Sequence, residues 1–303
     1  MLVITALMVA VLSVPLPALA AKSDDTIGMT LSPIKVQLVI EAGKDYESTF
    51  KVMNSGKTAF DFYVYAAPYQ VSGEKYEPNF SKETKRTQIS RWITFDEKNY
   101  NIKPGAEVEV TYHVKTPKSI PDGGQYAVIF AQTKEDQNSN TTGIVAAKRV
   151  GILVYAKAKG HTIEKGELKS NNISMWQTST LKTEFKATNT GNTDFNATSS
   201  FVVTKLTGKE VYNSGDKPYA ILPDTTRLAT NEWDDVPYVG LFWATSKVTM
   251  LGKSYTTRRL VLVAPLFIPI VLILVIVAII ILIILKARSG RKYGRKVRKV
   301  SRR

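Results

Sequence analysis

The sequence predicts an all-β protein: two tandem immunoglobulin-like β-sandwich domains plus one C-terminal transmembrane α-helix. Three observations predict it: short alternating strands between turn residues, a repeated Asn-x-Gly segment, and a long uncharged block near the carboxyl end. Across residues 21–259, apolar and polar residues alternate in runs rich in Val, Ile, Thr, Tyr and Phe. That is the period of a half-buried strand. Residues 34–40, 46–53, 60–65, 106–114, 125–130 and 149–155 are such runs, interrupted by Gly43 and by Asn54-Ser55-Gly56-Lys57. Seven or more short strands with turns at these intervals, and no long amphipathic helix among them, fit an immunoglobulin-type sandwich.

The division into two domains rests on an internal repeat at an offset of 135 residues. Phe50-Lys-Val-Met-Asn54-Ser-Gly56-Lys-Thr58-Ala-Phe60 aligns with Phe185-Lys-Ala-Thr-Asn189-Thr-Gly191-Asn-Thr193-Asp-Phe195, with six of eleven positions identical. The shared Asn and Gly are expected where a hairpin turn needs positive φ. Ile102-Lys-Pro104-Gly105 has a counterpart in Ile221-Leu-Pro223-Asp224, so Leu222-Pro223-Asp224-Thr225 reads as a turn. The expected organisation is a signal peptide at 1–21, a first sandwich at 22–159, a second at 160–259, a membrane helix at 260–285 and a basic tail at 286–303.

Residues 1–21 are uncharged and mostly apolar, and Ala18-Leu19-Ala20 supplies the small-x-small pattern before a cleavage site at Ala21. An uncleaved first helix is the rival, because the run is near spanning length. Residues 260–285 form 26 positions without a charge, and 266–285 alone give 20, about 30 Å of helix. Pro265 and Pro269 suit the start of that helix, and 254–263 read as a final strand leading into it. Ten basic residues follow the block, whereas Lys253, Arg258 and Arg259 precede it, so the carboxyl terminus is expected inside and the domains outside the plasma membrane.

The formal charge of +15 is concentrated: ten of the 41 Lys and Arg residues fall at 286–303, leaving 31 basic against 26 acidic elsewhere. A net +5 on the folded part does not indicate nucleic-acid binding. In the tail, Lys286, Arg288, Arg291, Lys292, Arg295 and Lys296 are the expected contacts to anionic lipid headgroups, each gaining about 1 kcal/mol. Cysteine is absent, which excludes disulfides and thiolate chemistry and points to a bacterial cell surface.

Residues 69–101 are too long for a hairpin loop and carry Tyr69, Tyr76, Phe80, Trp92 and Tyr100 among charges, the composition of a recognition surface. Trp92, within 89–95, reads better as a core residue of a strand. No catalytic site, cofactor or metal site is expected. His113 and His161 lie 48 residues apart, and Asn231-Glu-Trp-Asp-Asp235 lacks the spacing of a calcium loop and reads as a polar turn.

The order of these elements resembles the WxL-interacting protein family of Gram-positive bacterial surfaces. The similarity rests on Ser32-Pro33, 50–56, Trp92, Ile102-Lys-Pro-Gly105, Thr116-Pro117 and Pro121-Asp-Gly-Gly-Gln-Tyr-Ala-Val-Ile-Phe130. The resemblance implies a first domain that binds peptidoglycan and a second that engages a host or surface partner. None of the four tryptophans is followed at the second position by Leu, so the chain is not itself of the WxL type. The function expected is a non-enzymatic surface adhesion or scaffolding protein, engaging cell-wall polymer or an exported partner protein by β-strand addition. The alternative is a membrane-anchored subunit of a surface assembly, secretion or pilus-type complex whose tail contacts a cytoplasmic or membrane partner.

Overall fold

The computed structural model describes residues 27–134 and 147–300, with the side chains at 269, 272 and 287–300 outside the description. The expected signal segment at 1–21, most of the polar stretch after Lys134, and the side chains of Arg288, Arg291, Lys292, Arg295 and Lys296 therefore lie outside the described residues. Lys286 is exposed.

The chain is mostly strand. The first sandwich contains β1 (Met29–Ser32), β2 (Lys35–Ile40), β3 (Asp45–Asn54), β4 (Phe60–Pro68), β5 (Gln70–Ser72), β6 (Glu77–Asn79), a one-turn helix α1 (Ile89–Trp92), β7 (Ile93–Phe95), β8 (Asn99–Ile102), β9 (Glu107–Lys115), β10 (Gly124–Thr133) and β11 (Arg149–Ala158). One sheet runs β1-β3-β9-β7 and the facing sheet β2-β11-β10-β4-β8, with β5 and β6 a separate hairpin. Alternation fixes which face is inside: in β3, Phe50, Val52 and Asn54 are buried while Lys51 and Met53 are exposed. Phe50, Phe62, Ile89, Tyr112, Ile129 and Ile152 meet in one core. β10 departs from alternation and is buried on both faces from Gly124 to Ala131, because its outer face is covered too.

The second sandwich contains β12 (Gly166–Ile173), β13 (Trp176–Gln177), β14 (Leu181–Asn189), β15 (Phe195–Lys205), β16 (Glu210–Asn213), β17 (Lys217–Ile221), β18 (Thr226–Trp233), β19 (Gly240–Met250) and β20 (Lys253–Val263). A three-stranded sheet, β12-β14-β18, faces β13-β20-β19-β15-β16, with β17 also pairing β15. Its apolar filling is split lengthwise. Phe185, Phe195, Ile221 and Met250 pack near the first sandwich. Leu181, Phe201, Trp233, Phe242 and Val261 pack at the far end. Three residues after β20, helix α2 (Phe267–Val300) begins.

Four expectations are corrected. The helix starts at Phe267 and not at 260, because Leu260–Val263 belong to β20, as the reading of 254–263 as a strand has it, with Val261 and Val263 in the core. Apart from these four, and with the side chains at 269, 272 and 287–300 outside the description, among the described residues no helix is long and apolar enough to cross a membrane. Residues 89–92 are helical instead of extended, and Trp92 is half-buried against the first core. Asn231–Trp233 end strand β18, with Asn231 and Trp233 buried, so only Asp234 and Asp235 are left to a turn.

The fourth correction concerns the repeat. Asn54, Gly56, Asn189 and Gly191 are not among the positive-φ residues. The Asn side chains are instead buried staples. Asn189 Nδ2 donates to the carbonyls of Thr193 and Ile221, both at 2.8 Å, and its Oδ1 accepts from Gly191 N–H at 2.8 Å. Asn54 makes the same set with Thr58 (2.8 Å), Ile102 (3.5 Å) and Gly56 (2.9 Å). Buried backbone groups need partners, and one amide satisfies three of them. Positive φ is found at the paired turns instead, at Gly105 (71°) and Asp224 (61°), whose N–H groups donate to the carbonyls of Asn54 and Asn189.

Candidate functional site: the domain joint and its aromatic face

The linker after β11 is short, and the outer face of the sheet containing β10 and β11 meets the second sandwich directly. Tyr126 on β10 points outward, and its hydroxyl donates to Asp194 Oδ1 (3.1 Å) while accepting from Asp194 N–H (2.9 Å). Arg86, in the segment before α1, spans the gap. Its Nη1 donates to the Asn192 carbonyl at 2.7 Å, and its Nε and Nη2 reach Asp224 Oδ2 at 3.2 and 3.1 Å. The Arg86 side chain is only 14% exposed, so this charged bond is shielded from solvent on one side. Gly123 has φ +87° and would place a Cβ 2.1 Å from the Asn192 carbonyl oxygen, so only glycine allows this approach. Beside it, Gly124 N–H donates to that same carbonyl at 2.8 Å.

The β5–β6 hairpin is the third support. Tyr76 has φ 62°; its hydroxyl bonds Thr225 Oγ1 and accepts from Leu222 N–H at 2.9 Å. The Arg227 guanidinium lies 4.5 Å from the Tyr76 ring, and Leu228 N–H donates to the Glu74 carbonyl at 2.7 Å. Tyr126, Tyr155 and Leu222 form a buried cluster with Tyr69, Tyr76, Leu153 and Ala220 around it. A cavity of about 330 Å³ opens beside this cluster, between Gln70, Thr84, Arg86 and the turn at Leu222–Thr225.

From the joint an aromatic series continues along the outer face of the first sandwich. Tyr69 packs 6.0 Å from Tyr155 and 6.2 Å from Phe80, and Phe80 stands edge-on to Phe130 at 5.0 Å. Arg149 lies over Phe130 at 4.2 Å and over Phe80 at 5.6 Å. Its Nη1 donates to Tyr65 Oη (3.1 Å), which donates to Gln132 Oε1 (3.0 Å). Tyr63 stacks on Tyr65 at 5.6 Å. At the open edge of this sheet, Lys35 Nζ sits 4.0 Å over the Tyr155 ring, its pKa lowered mainly by burial.

Of the five aromatic residues singled out in the sequence, the structure therefore joins Tyr69, Tyr76 and Phe80. Trp92 and Tyr100 instead pack on the core, Tyr100 stacking on Phe62 at 5.1 Å. The joint residues Arg86, Tyr126, Asn192, Asp194 and Asp224 were not visible as a group. The one available signal was Leu222-Pro223-Asp224-Thr225: its duplicate in the first domain carries Gly105 at the left-handed position, where this turn carries an Asp whose carboxylate is free to bind Arg86. His113 bonds Asp45 through Nδ1 and Asp96 through Nε2, each at 3.2 Å. The carboxylates occupy opposite ring nitrogens and share no point where a cation could sit, in keeping with the absence of any metal-binding group among the described residues.

Burial raises the hydroxyl pKa of both Tyr126 and Tyr155 well above the ordinary 10.0, with the Asp194 charge adding to the effect on Tyr126 and the neighbouring Tyr69 adding to that on Tyr155. Above pH 10 the unfolded chain releases these protons while the folded chain keeps them, so the unfolded state binds fewer protons and stability falls as pH rises. Chemical-denaturant midpoints measured between about pH 9 and 12 are expected to drop with a slope that Tyr155→Phe makes shallower. An unchanged slope in that variant would remove Tyr155 from the account.

No protein-family model matches the chain, and no curated protein matches it. Solved structures similar in fold include the class 5 fimbriae chaperone CfaA, at 13% identity over 79% of this chain and 100% of that one, TM-score 0.39. Another is a chaperone–tip adhesin complex of CFA/I fimbriae biogenesis, at 14% identity over 78% of this chain and 99% of that one, TM-score 0.38. The CsuC–CsuE chaperone–tip adhesion subunit pre-assembly complex of Csu pili from Acinetobacter baumannii is similar at 12% identity over 79% of this chain and 99% of that one, TM-score 0.40. At these values the likeness carries no argument about what this chain binds.

Proposed function

We propose that the chain is a non-enzymatic surface-binding protein, anchored by α2, that captures an exported partner protein by strand addition at the open edge of its first sandwich. The observation that carries this reading is β2. It is the outer strand of its sheet, pairs only with β11 among the described strands, and leaves its other side open for six residues. Natural edges are blunted by charge, proline or cover. Here Ile34 is 81% exposed and Val39 63% exposed, and the one lysine of the strand is turned over the Tyr155 ring. The edge therefore offers unpaired backbone groups with apolar side chains beside them, the combination that an added strand uses. The aromatic series ending at Tyr155 lies next to it and gives a partner side chains to pack on.

Anchoring is supported by the sequence of α2 and by what surrounds it. Residues 266–285 carry no charge, and the described side chains from Ile270 to Leu285 are all exposed. Burying a Leu or Ile side chain is worth about 1.5–3 kcal/mol each, so a helix of this kind standing in water is untenable and lipid is the solvent that fits it. The ten basic residues at 286–303 support the inner side for the carboxyl terminus. The resemblance to WxL-interacting proteins belongs to the same proposal, with the first domain as the distal, binding half.

The full-length chain, displayed on cells, is expected to retain a protein from an exported-protein fraction. Ile34→Lys with Val39→Lys leaves the core untouched and is expected to weaken retention by on the order of tenfold or more. Retention of isolated cell wall alone, or of the same protein unchanged by the two lysines, would overturn strand addition at β2.

A further inference from the structure

The end of the second sandwich nearest α2 carries an apolar belt that the fold leaves uncovered. On β20 the outward residues are Leu262, Leu260 and Arg258, and their register partners are Leu241, Trp243 and Thr245 on β19 and Trp176 on β13. Their inward neighbours, Val261, Val263, Phe242 and Ala244, fill the core, so the outward row is a second apolar face of a strand pair already satisfied inside. An open sheet face on a domain normally alternates to polar residues. Here the outward positions turn polar only with distance from the helix: first Trp176, Leu241 and Leu262, then Trp243 and Leu260, then Arg258, whose guanidinium lies 4.7 Å over the Trp243 ring.

The loops at the same end continue the belt. Tyr238 is 69% exposed and Met175 68% exposed, with Val239 beside them. Tyr238 meets the first ring of the helix, Phe267, at a centroid distance of 6.5 Å. Trp176 Nε1 donates to the carbonyl of Ala264, in the three-residue junction between β20 and α2, at 2.9 Å. The belt is thus tied to the junction at two points, without slack.

We infer that this belt is a membrane-docking surface, on which the second sandwich rests at the headgroup–acyl boundary of a phospholipid bilayer. The inference rests on the proposed anchoring of α2, and the belt's continuity with that helix is what names the occupant. Tryptophan and tyrosine favour this boundary because each ring has an apolar body and a polar tip. Arg258 lies four residues up the strand from Leu262, roughly 13 Å at 3.3 Å per residue, where a guanidinium reaches phosphate while its stem covers Trp243. Asp234 and Asp235 are exposed in the neighbouring turn and disfavour an anionic surface, so the apolar belt and not charge is the main source of attachment.

The full chain reconstituted in phosphatidylcholine vesicles tests this. With phosphatidylcholine brominated high on the acyl chain, tryptophan emission is expected to be quenched, and Trp176→Phe to remove at least half of the quenched fraction, whereas Trp92→Phe, in the first sandwich, leaves it unchanged. Tyr238→Asp with Val239→Asp is expected to reduce the quenching without altering flotation with the vesicles. Flotation with no quenching, or with quenching indifferent to Trp176, would leave the anchor standing and overturn the docking. Loss of quenching with cross-linked pairs of chains would assign the belt to a second copy and also overturn it. A chain that fails to float would overturn both.

Discussion

Replacing Asn189 with alanine is expected to cost the second sandwich about 3 kcal/mol, because the change takes a bond from two buried carbonyls and leaves the Gly191 N–H only its bond to the Lys165 carbonyl. The Thr193 and Ile221 carbonyls and the Gly191 N–H would each lose a 2.8 Å bond, and the site is closed to water. Because the two sandwiches are expected to unfold together as one unit of more than about 200 residues, this corresponds to a fall in Tm of about 6–12 °C by calorimetry. Asn189→Asp keeps the shape but places a carboxylate against two carbonyls, and is expected to cost at least as much. Thr190→Ala, at the exposed neighbouring position, should stay within about 0.5 kcal/mol of the parent. Equal stability of Asn189→Ala and Thr190→Ala would show that the staple does not hold the turn.

The second large effect belongs to the joint. Arg86→Ala combined with Tyr126→Phe removes the three Arg86 bonds to Asn192 and Asp224 and both bonds between Tyr126 and Asp194. Buried and charged hydrogen bonds of this kind contribute about 1–3 kcal/mol each, so the pair is expected to weaken the coupling of the domains by about 2–5 kcal/mol. The expected result is one cooperative thermal transition in the parent and two in the double variant, with a larger radius of gyration in solution scattering. The two changes touch the same loop at Asn192–Asp194 and should be non-additive in a double-mutant cycle. A single transition and an unchanged radius would mean that the Tyr76 hairpin alone fixes the domain angle.

Much of the β architecture was legible because alternation is a local property: the buried Phe50 and Val52 beside exposed Lys51 and Met53 can be read without knowing what lies opposite. The duplicated Asn-x-Gly segment was equally visible, yet its role was misjudged. Asn followed two positions later by Gly signals a turn in sequence, whereas the work of Asn54 and Asn189 lies in carbonyls 48 and 32 residues away. The same separation hid the joint. Arg86, Tyr126, Asp194 and Asp224 come from four loops or strands of two domains, and nothing in their local sequence reveals that they meet. Tyr100 shows the converse limit, since an aromatic residue among charges is exposed or buried according to the strand opposite, and here Phe62 claims it, whereas Trp92, read as a core residue, does pack on the first core. The end of the last strand was legible, since 254–263 reads as a strand and β20 ends at Val263, but the start of the helix was drawn too early because 260–285 are uncharged throughout.

The direct passage from β20 to α2 has a mechanical meaning. β20 runs from Lys253, level with the joint, to Val263, level with the helix, and pairs with β19 over eleven residues. If α2 is held in a bilayer as proposed, a partner tugging on the first sandwich would load the second through its joint end while the opposite end of β20 stays fixed. Tension then acts along the strand and across its hydrogen bonds, which must shear together and cannot peel one by one. The three residues between strand and helix leave no slack to absorb the pull, so the second sandwich would pass force straight to the helix that follows it.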